Sequence, residues 1–234
     1  MPEPKIIYED AEFLAIDKPS GMLVDQVRAL GKTLPEDRSQ VLAGWLEIHH
    51  PGAQLVHRLD KETSGVILAA KNPASYQYFK DQFKGRVMSK TYVALVAGHI
   101  QQPHGTINAP IGIRHGMVRH TTHKSAKHPS EAITDYSVVS YYTYNKKPYT
   151  LVEARPKTGR THQIRVHFNS IHHPVMGDKL YGGKISEGLA ARHLLHAQKI
   201  EFTKPDGGRI SIGSEIPKDF AAILSTLKKV EIDD

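Results

Sequence analysis

Two short apolar runs constrain the fold of this chain most strongly. Residues 66–70 are uninterruptedly apolar and bounded by turn residues, which suits a buried strand better than a helix. In residues 90–97, apolar side chains fall on both faces of an extended chain, with Tyr92, Ala94 and Val96 on one face. Both runs therefore predict buried strands. The second predicts a central strand with Tyr92 as a buried or half-buried phenol.

Helical spacing of apolar residues predicts helices in four places. One covers residues 41–46 and is ended by a Pro-Gly pair, and another follows an Asn72 N-cap and is stopped by Gly85. The aromatic stripe of that second helix is more typical of a core face than of a nucleic-acid platform. Residues 162–168, with Thr161 as the cap, and residues 220–227 complete the set.

Further strands are predicted from short extended patterns between turn residues. Residues 6–8 and 13–17 read as a hairpin. Residues 132–139 and 149–155 are two strands separated by a polar loop around residues 145–147. Near the end of the chain, residues 200–203 and 210–212 form another hairpin across an Asp-Gly-Gly turn.

Composition excludes several classes of protein. The 234 residues contain no cysteine, which rules out disulfides, thiolate catalysis and cysteine-ligated metal sites. The N-terminus lacks the basic start and apolar stretch of a signal peptide, and no apolar run approaches the ~20 residues that span a bilayer. We therefore expect a cytoplasmic protein with no membrane partner.

Positive charge is concentrated in one segment. The formal net charge is +7, and residues 82–130 contain no Asp or Glu. Such a segment predicts a cationic surface for a polyanion, although a solvated basic loop with no partner is the alternative reading. The basic residues that we assign to a candidate RNA-binding surface are Lys84, Arg86, Lys90, Arg114, Arg119, Lys124 and Lys127.

The candidate reactive group is Asp60, which lies in the stretch 57–65. It follows a short apolar lead-in, stands two residues after Arg58, and precedes the strand predicted over residues 66–70. A polar loop on a rigid strand is a common way of holding a reactive side chain. An aspartate in this position can also serve simply to accept backbone hydrogen bonds in a turn.

Other chemistries find little support. The fifteen histidines include no His-Glu-x-x-His pattern, and cationic neighbours oppose metal binding, so no metal is expected. A metal-free hydrolase with histidine as acid and base is chemically possible. The sequence has no Gly-x-Ser-x-Gly nucleophile elbow and no phosphate-binding loop of the Gly-x-x-x-x-Gly-Lys kind.

Six motifs in order give the chain a family resemblance. They extend from near residue 18 to near residue 197, and they are Lys18-Pro19-Ser20-Gly21; His57-Arg58-Leu59-Asp60-x-x-Thr63-Ser64-Gly65; Lys90-Thr91-Tyr92; Thr158-Gly159-Arg160-Thr161-His162-Gln163-Ile164-Arg165-Val166-His167; His173-Pro174-x-x-Gly177-Asp178-x-x-Tyr181-Gly182; and Leu195-His196-Ala197. With these motifs the chain resembles the RluA-type pseudouridine synthases.

The resemblance implies isomerisation of uridine to pseudouridine in RNA, without cofactor or metal. It implies an α+β fold with a central mixed or antiparallel sheet, flanking helices and a basic active-site cleft. Asp60 matches the catalytic aspartate, Tyr92 the active-site tyrosine and Arg165 the arginine that pairs with the aspartate. Leu195 matches the apolar residue of the uracil pocket, and Arg58 the arginine that enters the RNA stack when the base is flipped out.

Two further expectations concern the substrate and the organisation of the chain. The polar face that contains His162, and the basic turn that ends at Arg160, predict substrate-binding groups. We expect residues 1–234 to be a single catalytic domain without a separate N-terminal RNA-binding domain, and a monomer that acts on ribosomal or transfer RNA rather than DNA. A non-catalytic RNA-binding or RNA-chaperone module on the same fold is the competing hypothesis.

Overall fold

A computed structural model describes residues 2–25, 38–113, 120–123 and 126–231. The chain forms two compact units. Unit 1 contains the described residues up to Lys90 together with Ala197–Glu215. Unit 2 contains Thr91–His196 and the described residues from Ile216 onwards. The expectation of a single catalytic domain stays a prediction.

The helices and strands follow one another in a mixed order that belongs to the α+β class. The helices are α1 (Leu42–His49), α2 (Pro73–Lys84), α3 (Gln163–Ser170) and α4 (Lys218–Thr226). The strands are β1 (Lys5–Glu9), β2 (Phe13–Lys18), β3 (Gln54–Leu55), β4 (Ser64–Ala70), β5 (Ser89–Ala97), β6 (His104–Asn108), β7 (Ile111–Ile113), β8 (His120–Thr121), β9 (Lys127–Ser130), β10 (Ile133–Tyr144), β11 (Lys147–Pro156), β12 (Leu195–Thr203), β13 (Arg209–Gly213) and β14 (Lys228–Val230). In the described part of the chain, every helix is too short or too polar to cross a membrane.

The sheet of unit 1 has the strand order β1-β2-β4-β12-β13, and β3 adds to one end of β4. The hairpin of β1 and β2 and that of β12 and β13 confirm the two predicted hairpins. β4 is buried along its whole length, as its apolar run predicted. The short helix α1 carries Trp45, whose ring stacks on His49 with centroids 4.6 Å apart.

The core of unit 1 lies between this sheet and α2. Phe79 is fully buried against Phe13 and Phe202, with edge-to-face ring contacts of 5.3–5.5 Å, while Tyr76 and Phe83 pack at its margin. The aromatic stripe of α2 is therefore a core face. The side chain of Asn72 accepts a hydrogen bond from the backbone of the first turn, which confirms it as the N-cap.

The sheet of unit 2 has the order β5-β11-β10, and both β6 and β14 pair with β10. β5 confirms the prediction of apolar residues on both faces. Tyr92, Ala94 and Val96 join one core cluster, and Val93, Leu95 and Ala97 join another on the opposite face. Ile164 and Phe168 of α3 pack into the first cluster and Phe220 of α4 into the second.

Some boundaries predicted from the sequence are wrong. β10 continues to Tyr144 and β11 begins at Lys147, so both strands extend past their predicted ends into the predicted loop and meet at a two-residue turn, Asn145-Lys146, where both residues have positive φ. Thr161 is not the cap of α3. The N-cap is His162, which takes a left-handed conformation with φ of 56° and makes no capping hydrogen bond through its side chain.

The acid-free segment contains strands that its sequence did not indicate. β6 adds to the main sheet of unit 2, and β7, β8 and β9 form a small antiparallel sheet of their own. These strands are two to five residues long and rich in His, Thr and Gly, so they lack the apolar alternation by which a strand is recognised.

Candidate active site

Asp60 lies in unit 1 on the loop that leads into β4, as predicted. Its side chain is half-buried. Its backbone carbonyl accepts a hydrogen bond of 3.1 Å from the N–H of Thr63, which closes a turn over residues 60–63. Asp60 can therefore form the turn and also act as a reactive group, because its backbone carbonyl makes the hydrogen bond of the turn and its carboxylate is a separate group.

The fully buried ammonium group of Lys18 holds Lys61, the residue after Asp60, in place. Lys18 has no exposed surface, and its Nζ donates to the carbonyls of Pro19, Met22 and Lys61 at 2.8, 2.9 and 3.0 Å. The Lys61 carbonyl also accepts from the N–H of Gly21 at 2.9 Å. The Lys-Pro-Ser-Gly segment thus fixes the backbone of the loop that carries the candidate nucleophile.

On its other side, the loop is tied to β4 through His57. The N–H of Leu68 donates to His57 Nε2 at 3.0 Å, and the N–H of Val56 donates to the Leu68 carbonyl at 3.1 Å. The imidazole packs on the ring of Phe83, with centroids 4.6 Å apart. Burial, reinforced by the positive charge of Lys90, lowers the pKa of His57 to about 3. The ring is therefore neutral at physiological pH, and its Nε2 serves as an acceptor.

Glycine is required at position 65 for two reasons. Gly65 has a φ of 110°, and a Cβ there would lie 2.2 Å from the carbonyl oxygen of Ala197. No side chain fits that approach of β4 to β12. The glycine of the Thr-Ser-Gly motif thus allows β4, the strand that follows the Asp60 loop, to pack closely against β12.

In unit 2, the candidate residues Tyr92 and Leu195 belong to the same hydrophobic cluster. Leu195 is buried and Tyr92 is half-buried at the edge of the cluster, which also contains Ile164 of α3. Tyr92 pairs with Ala154 in the antiparallel ladder of β5 and β11. A phenol on a paired strand has little freedom to move, which suits a residue of an active site.

Arg165 is buried on α3 and is held by an acidic residue that the sequence reasoning did not single out. Its Nε and Nη2 donate to the two carboxylate oxygens of Asp178 at 2.8 and 2.9 Å. Asp178 Oδ1 also accepts the backbone N–H groups of Leu180 and Tyr181. Burial raises the pKa of Asp178, but the bonds and charge of Arg165 outweigh it and the pKa lies below its usual value.

Tyr181 joins this pair to His162. The guanidinium of Arg165 lies over the Tyr181 ring at 5.1 Å, and the phenol oxygen is 2.7 Å from His162 Nδ1. The Gly-Asp-x-x-Tyr-Gly motif, which sequence reasoning treated as turn-forming, thus supplies two side chains around Arg165. Arg160 is exposed, and its Nε donates to the carbonyl of Glu131 at 3.0 Å.

The predicted RNA-binding residues are placed unevenly. Lys84, Arg86 and Lys127 are exposed. Lys90 is half-buried with its Nζ 5.7 Å from the centre of the Phe83 ring, and burial lowers its pKa. Arg114, Arg119 and Lys124 lie outside the described residues. In the described ranges, no group of three or more His, Asp or Glu side chains could hold a metal ion.

Arg58, the last of the candidate substrate-binding residues, is an exposed side chain of unit 1. The side chain of Arg58 is 59% exposed, and its Nη1 lies 4.0 Å from the carboxylate of Asp25. An exposed pair at this distance contributes little to stability, so the arginine is held only loosely. Its exposure suits a side chain that has to meet a nucleic acid.

The sheets with their flanking helices, and the loops that carry the six motifs, are those expected of the class of pseudouridine synthases, and comparison with known proteins agrees. Residues 12–170 match the sequence profile of the family described as RNA pseudouridylate synthase. The chain is 36% identical over 208 residues to the dual-specificity RNA pseudouridine synthase RluA of Yersinia pestis, covering 87% of this chain and 94% of that protein. It is 34% identical to the ribosomal large subunit pseudouridine synthase D of Nitrosomonas europaea, covering 97% of this chain and 66% of that one.

Solved structures give the same result. Human RNA pseudouridylate synthase domain containing 1 aligns with a TM-score of 0.80 and 27% identity, covering 99% of this chain and 91% of that one. The chain therefore belongs to the RNA pseudouridylate synthase family, and within it to the RluA type. It is an RNA pseudouridine synthase, an isomerase whose substrate is RNA.

Proposed function

We propose that this enzyme isomerises uridine in structured ribosomal or transfer RNA, with Asp60 as nucleophile on a flipped-out uridine and with no cofactor. The observation that carries the proposal is the anchoring of the Asp60 loop on two sides. The buried ammonium of Lys18 holds the carbonyl of Lys61, and His57 ties the loop to β4. A nucleophile must be held in one geometry to react efficiently, and both contacts supply that rigidity.

The reaction needs no oxidant, reductant or co-substrate. The bond between ribose carbon 1′ and uracil N1 breaks, and a new bond joins carbon 1′ to carbon 5 of the base. The hydrogen on carbon 5 leaves as a proton and N1 gains one, so atoms and electrons balance. A covalent link from Asp60 to the ribose or to the uracil ring can divide this exchange into easier steps.

The remaining site residues take the roles that the family resemblance assigns. Arg165, fixed by Asp178, is the cation that favours the ionised form of the catalytic carboxylate. Tyr92 stacks on the uracil and accepts the proton from carbon 5, and Leu195 provides an apolar wall. Their common cluster, with Tyr92 at its half-buried edge, supports these two roles.

Access to a stacked base requires its extrusion from the RNA, at a cost of a few kcal/mol. The exposed guanidinium of Arg58 is suited to stack in the space that the uridine leaves. His162 and Arg160 are proposed to contact the substrate backbone. The exposed residues Lys84, Arg86 and Lys127 belong to the proposed RNA-binding surface, which also includes the other four basic residues named from the sequence.

The names of two relatives bear on the choice of RNA substrate. The name of the Nitrosomonas europaea protein specifies the large ribosomal subunit, and that of the Yersinia pestis protein specifies dual specificity. This chain covers nearly the whole length of the Yersinia relative. We therefore propose that its target is a uridine in ribosomal or transfer RNA.

The test is tritium release from RNA labelled at carbon 5 of uridine, prepared from cells that lack this gene. Isomerisation must expel that hydrogen, whereas binding alone cannot. Wild type is compared with Asp60→Asn and with the matched control Asp81→Asn, an exposed aspartate on α2. We expect release by wild type and by the control, and none by Asp60→Asn.

Two outcomes would contradict the proposal. Full release by a pure Asp60→Asn sample would remove Asp60 from the role of nucleophile. Tight RNA binding without release by any variant would favour the non-catalytic RNA-binding hypothesis.

A further inference from the structure

Unit 1 contains a groove beside the Asp60 loop that the proposed reaction does not explain. Its volume is about 510 Å³, and it is walled by α1, α2 and the segment 53–58. Sites for small organic ligands have volumes of about 300–1,000 Å³. The groove is therefore large enough to hold a nucleotide.

The inner surface of the groove suits a flat ring. Leu46 and Val56 are almost completely buried beneath it and give it an apolar floor. Tyr76, which is half-buried, supplies an aromatic wall, and the small side chain of Ala43 leaves space on the α1 side. Aromatic walls of this kind bind nucleobases by stacking.

The rim carries both signs of charge. The cations are Arg58 and Lys80, and the Nζ of Lys80 is 5.8 Å from the centre of the Tyr76 ring. The carboxylates are Asp25, which faces Arg58 at 4.0 Å, and Glu47 of α1. A ligand that matches the whole rim has an anionic group for the cations and N–H donors for the carboxylates. A nucleotide with an exocyclic amine has both, and its –NH2 group offers two N–H donors to the two carboxylates, whereas uracil offers only the single N–H at N3.

The position of the groove along the chain indicates where such a nucleotide comes from. Arg58 precedes Asp60 by two residues, so their Cα atoms are at most about 7 Å apart. An RNA strand that presents its uridine to Asp60 must pass this rim. The nucleotides next to the target are then the ones within reach of the groove.

We propose that this groove binds a second nucleotide of the substrate RNA, a neighbour of the target uridine whose base is adenine, guanine or cytosine. The base stacks on Tyr76 with its amine towards the carboxylates, and its phosphate lies at Lys80, because Arg58 is assigned to the space that the target uridine leaves. This proposal rests on the proposed function. In this proposal, the groove of unit 1 makes RNA binding depend on the base next to the target uridine.

The experiment combines a filled groove with an altered RNA. Ala43→Leu fills the groove from α1, and Ala221→Leu, on the exposed face of α4, is the matched control. The probe is an RNA hairpin centred on the uridine that releases tritium, with each neighbouring A, G or C replaced in turn by an abasic nucleotide. The dissociation constant is measured by fluorescence anisotropy, which does not depend on turnover, and KM and kcat are measured by tritium release.

For wild type and Ala221→Leu, we expect one abasic position to weaken binding by roughly tenfold to a hundredfold. Replacing the natural base at that position by its analogue without the exocyclic amine should weaken binding by part of this amount. Ala43→Leu should bind the natural hairpin as weakly as wild type binds the abasic one, should raise KM with kcat unchanged, and should be insensitive to the abasic change.

The failures of the two proposals are distinguishable. Suppose that wild type releases tritium normally. If Ala43→Leu then behaves like Ala221→Leu, or if its binding remains sensitive to the abasic change, the groove proposal is overturned and the proposed function stays intact. Absence of tritium release by wild type overturns the proposed function, and the groove proposal with it.

Discussion

The neutral histidine behind the Asp60 loop gives a prediction whose size can be worked out. In the folded protein the pKa of His57 is about 3, and in the unfolded chain it is near the ordinary value of about 6.5. Between those values only the unfolded chain takes up the proton. The stabilisation is therefore fully present above pH 6.5 and is lost progressively as the pH falls towards 3.

The loss between pH 7 and pH 5 follows from the unfolded chain alone. It amounts to about 2 kcal/mol, at about 1.4 kcal/mol for each pH unit below 6.5. This figure holds for any folded-state pKa well below 5. We therefore expect the free energy of unfolding of the wild type to fall by about 2 kcal/mol more over this range than that of a variant without the imidazole.

Two substitutions separate the titration from the hydrogen bond. In His57→Gln the side-chain oxygen can accept the N–H of Leu68, whereas His57→Phe keeps the ring contact with Phe83 and leaves that buried N–H without its acceptor. At pH 7, His57→Phe should therefore cost about 1–3 kcal/mol. His57→Gln should keep more of the tritium-release activity, because the loop stays tied to β4.

Urea unfolding at pH 7, 6 and 5 measures both effects, since the midpoint and slope give the free energy at each pH. Groups other than His57 titrate alike in wild type and variant and cancel in the difference. Parallel pH curves for wild type and His57→Gln would refute the reasoning that the imidazole is buried and neutral.

Two further substitutions test buried charges by the same urea measurement. Lys18→Met removes the ammonium donor of the Pro19 and Met22 carbonyls and one of the two donors of the Lys61 carbonyl, and should cost about 3 kcal/mol or more. Lys5→Met, at an exposed position, should cost almost nothing, and equal losses would contradict the anchoring role of Lys18. Asp178→Asn removes the carboxylate that accepts two hydrogen bonds from the buried guanidinium of Arg165 and should cost about 3–5 kcal/mol, well above the loss in Asp219→Asn, whose carboxylate is half-exposed. A smaller loss than in that control would show that the pair of Arg165 and Asp178 does not anchor α3.

Local signals in the sequence were sufficient where a single segment determines its own structure. α2 has an N-cap, a proline in its first turn and a terminal glycine, and it was placed correctly at both ends. The two apolar faces of β5 were also correct, because each face packs into its own core. The loop position of Asp60 followed from the buried strand after it.

The start of α3 depends on contacts that no local pattern reveals. Gln163 accepts hydrogen bonds from the Thr158 hydroxyl and the Arg160 N–H, and donates to the Ile133 carbonyl. These bonds fix Gln163 as the first helical residue and leave His162 outside the helix. A threonine N-cap rule cannot anticipate a side chain that is held by a distant strand.

Pairing across long sequence distances explains the other errors. β6 exists because β10 offers it an edge, and the partners are 25 or more residues apart. Asp178 was missed as an anchor because its motif reads locally as a turn, and its backbone does form one. Its bond to Arg165, thirteen residues earlier, becomes visible only when α3 is in place.

The position of the tryptophan gives the protein a built-in optical reporter. Trp45 is the sole tryptophan of the 234-residue sequence, and it lies on the helix that walls the groove, two residues from Ala43. Its emission therefore reports on α1 without interference from any other indole. A single fluorescence trace can thus follow this helix during unfolding or RNA binding, without a label.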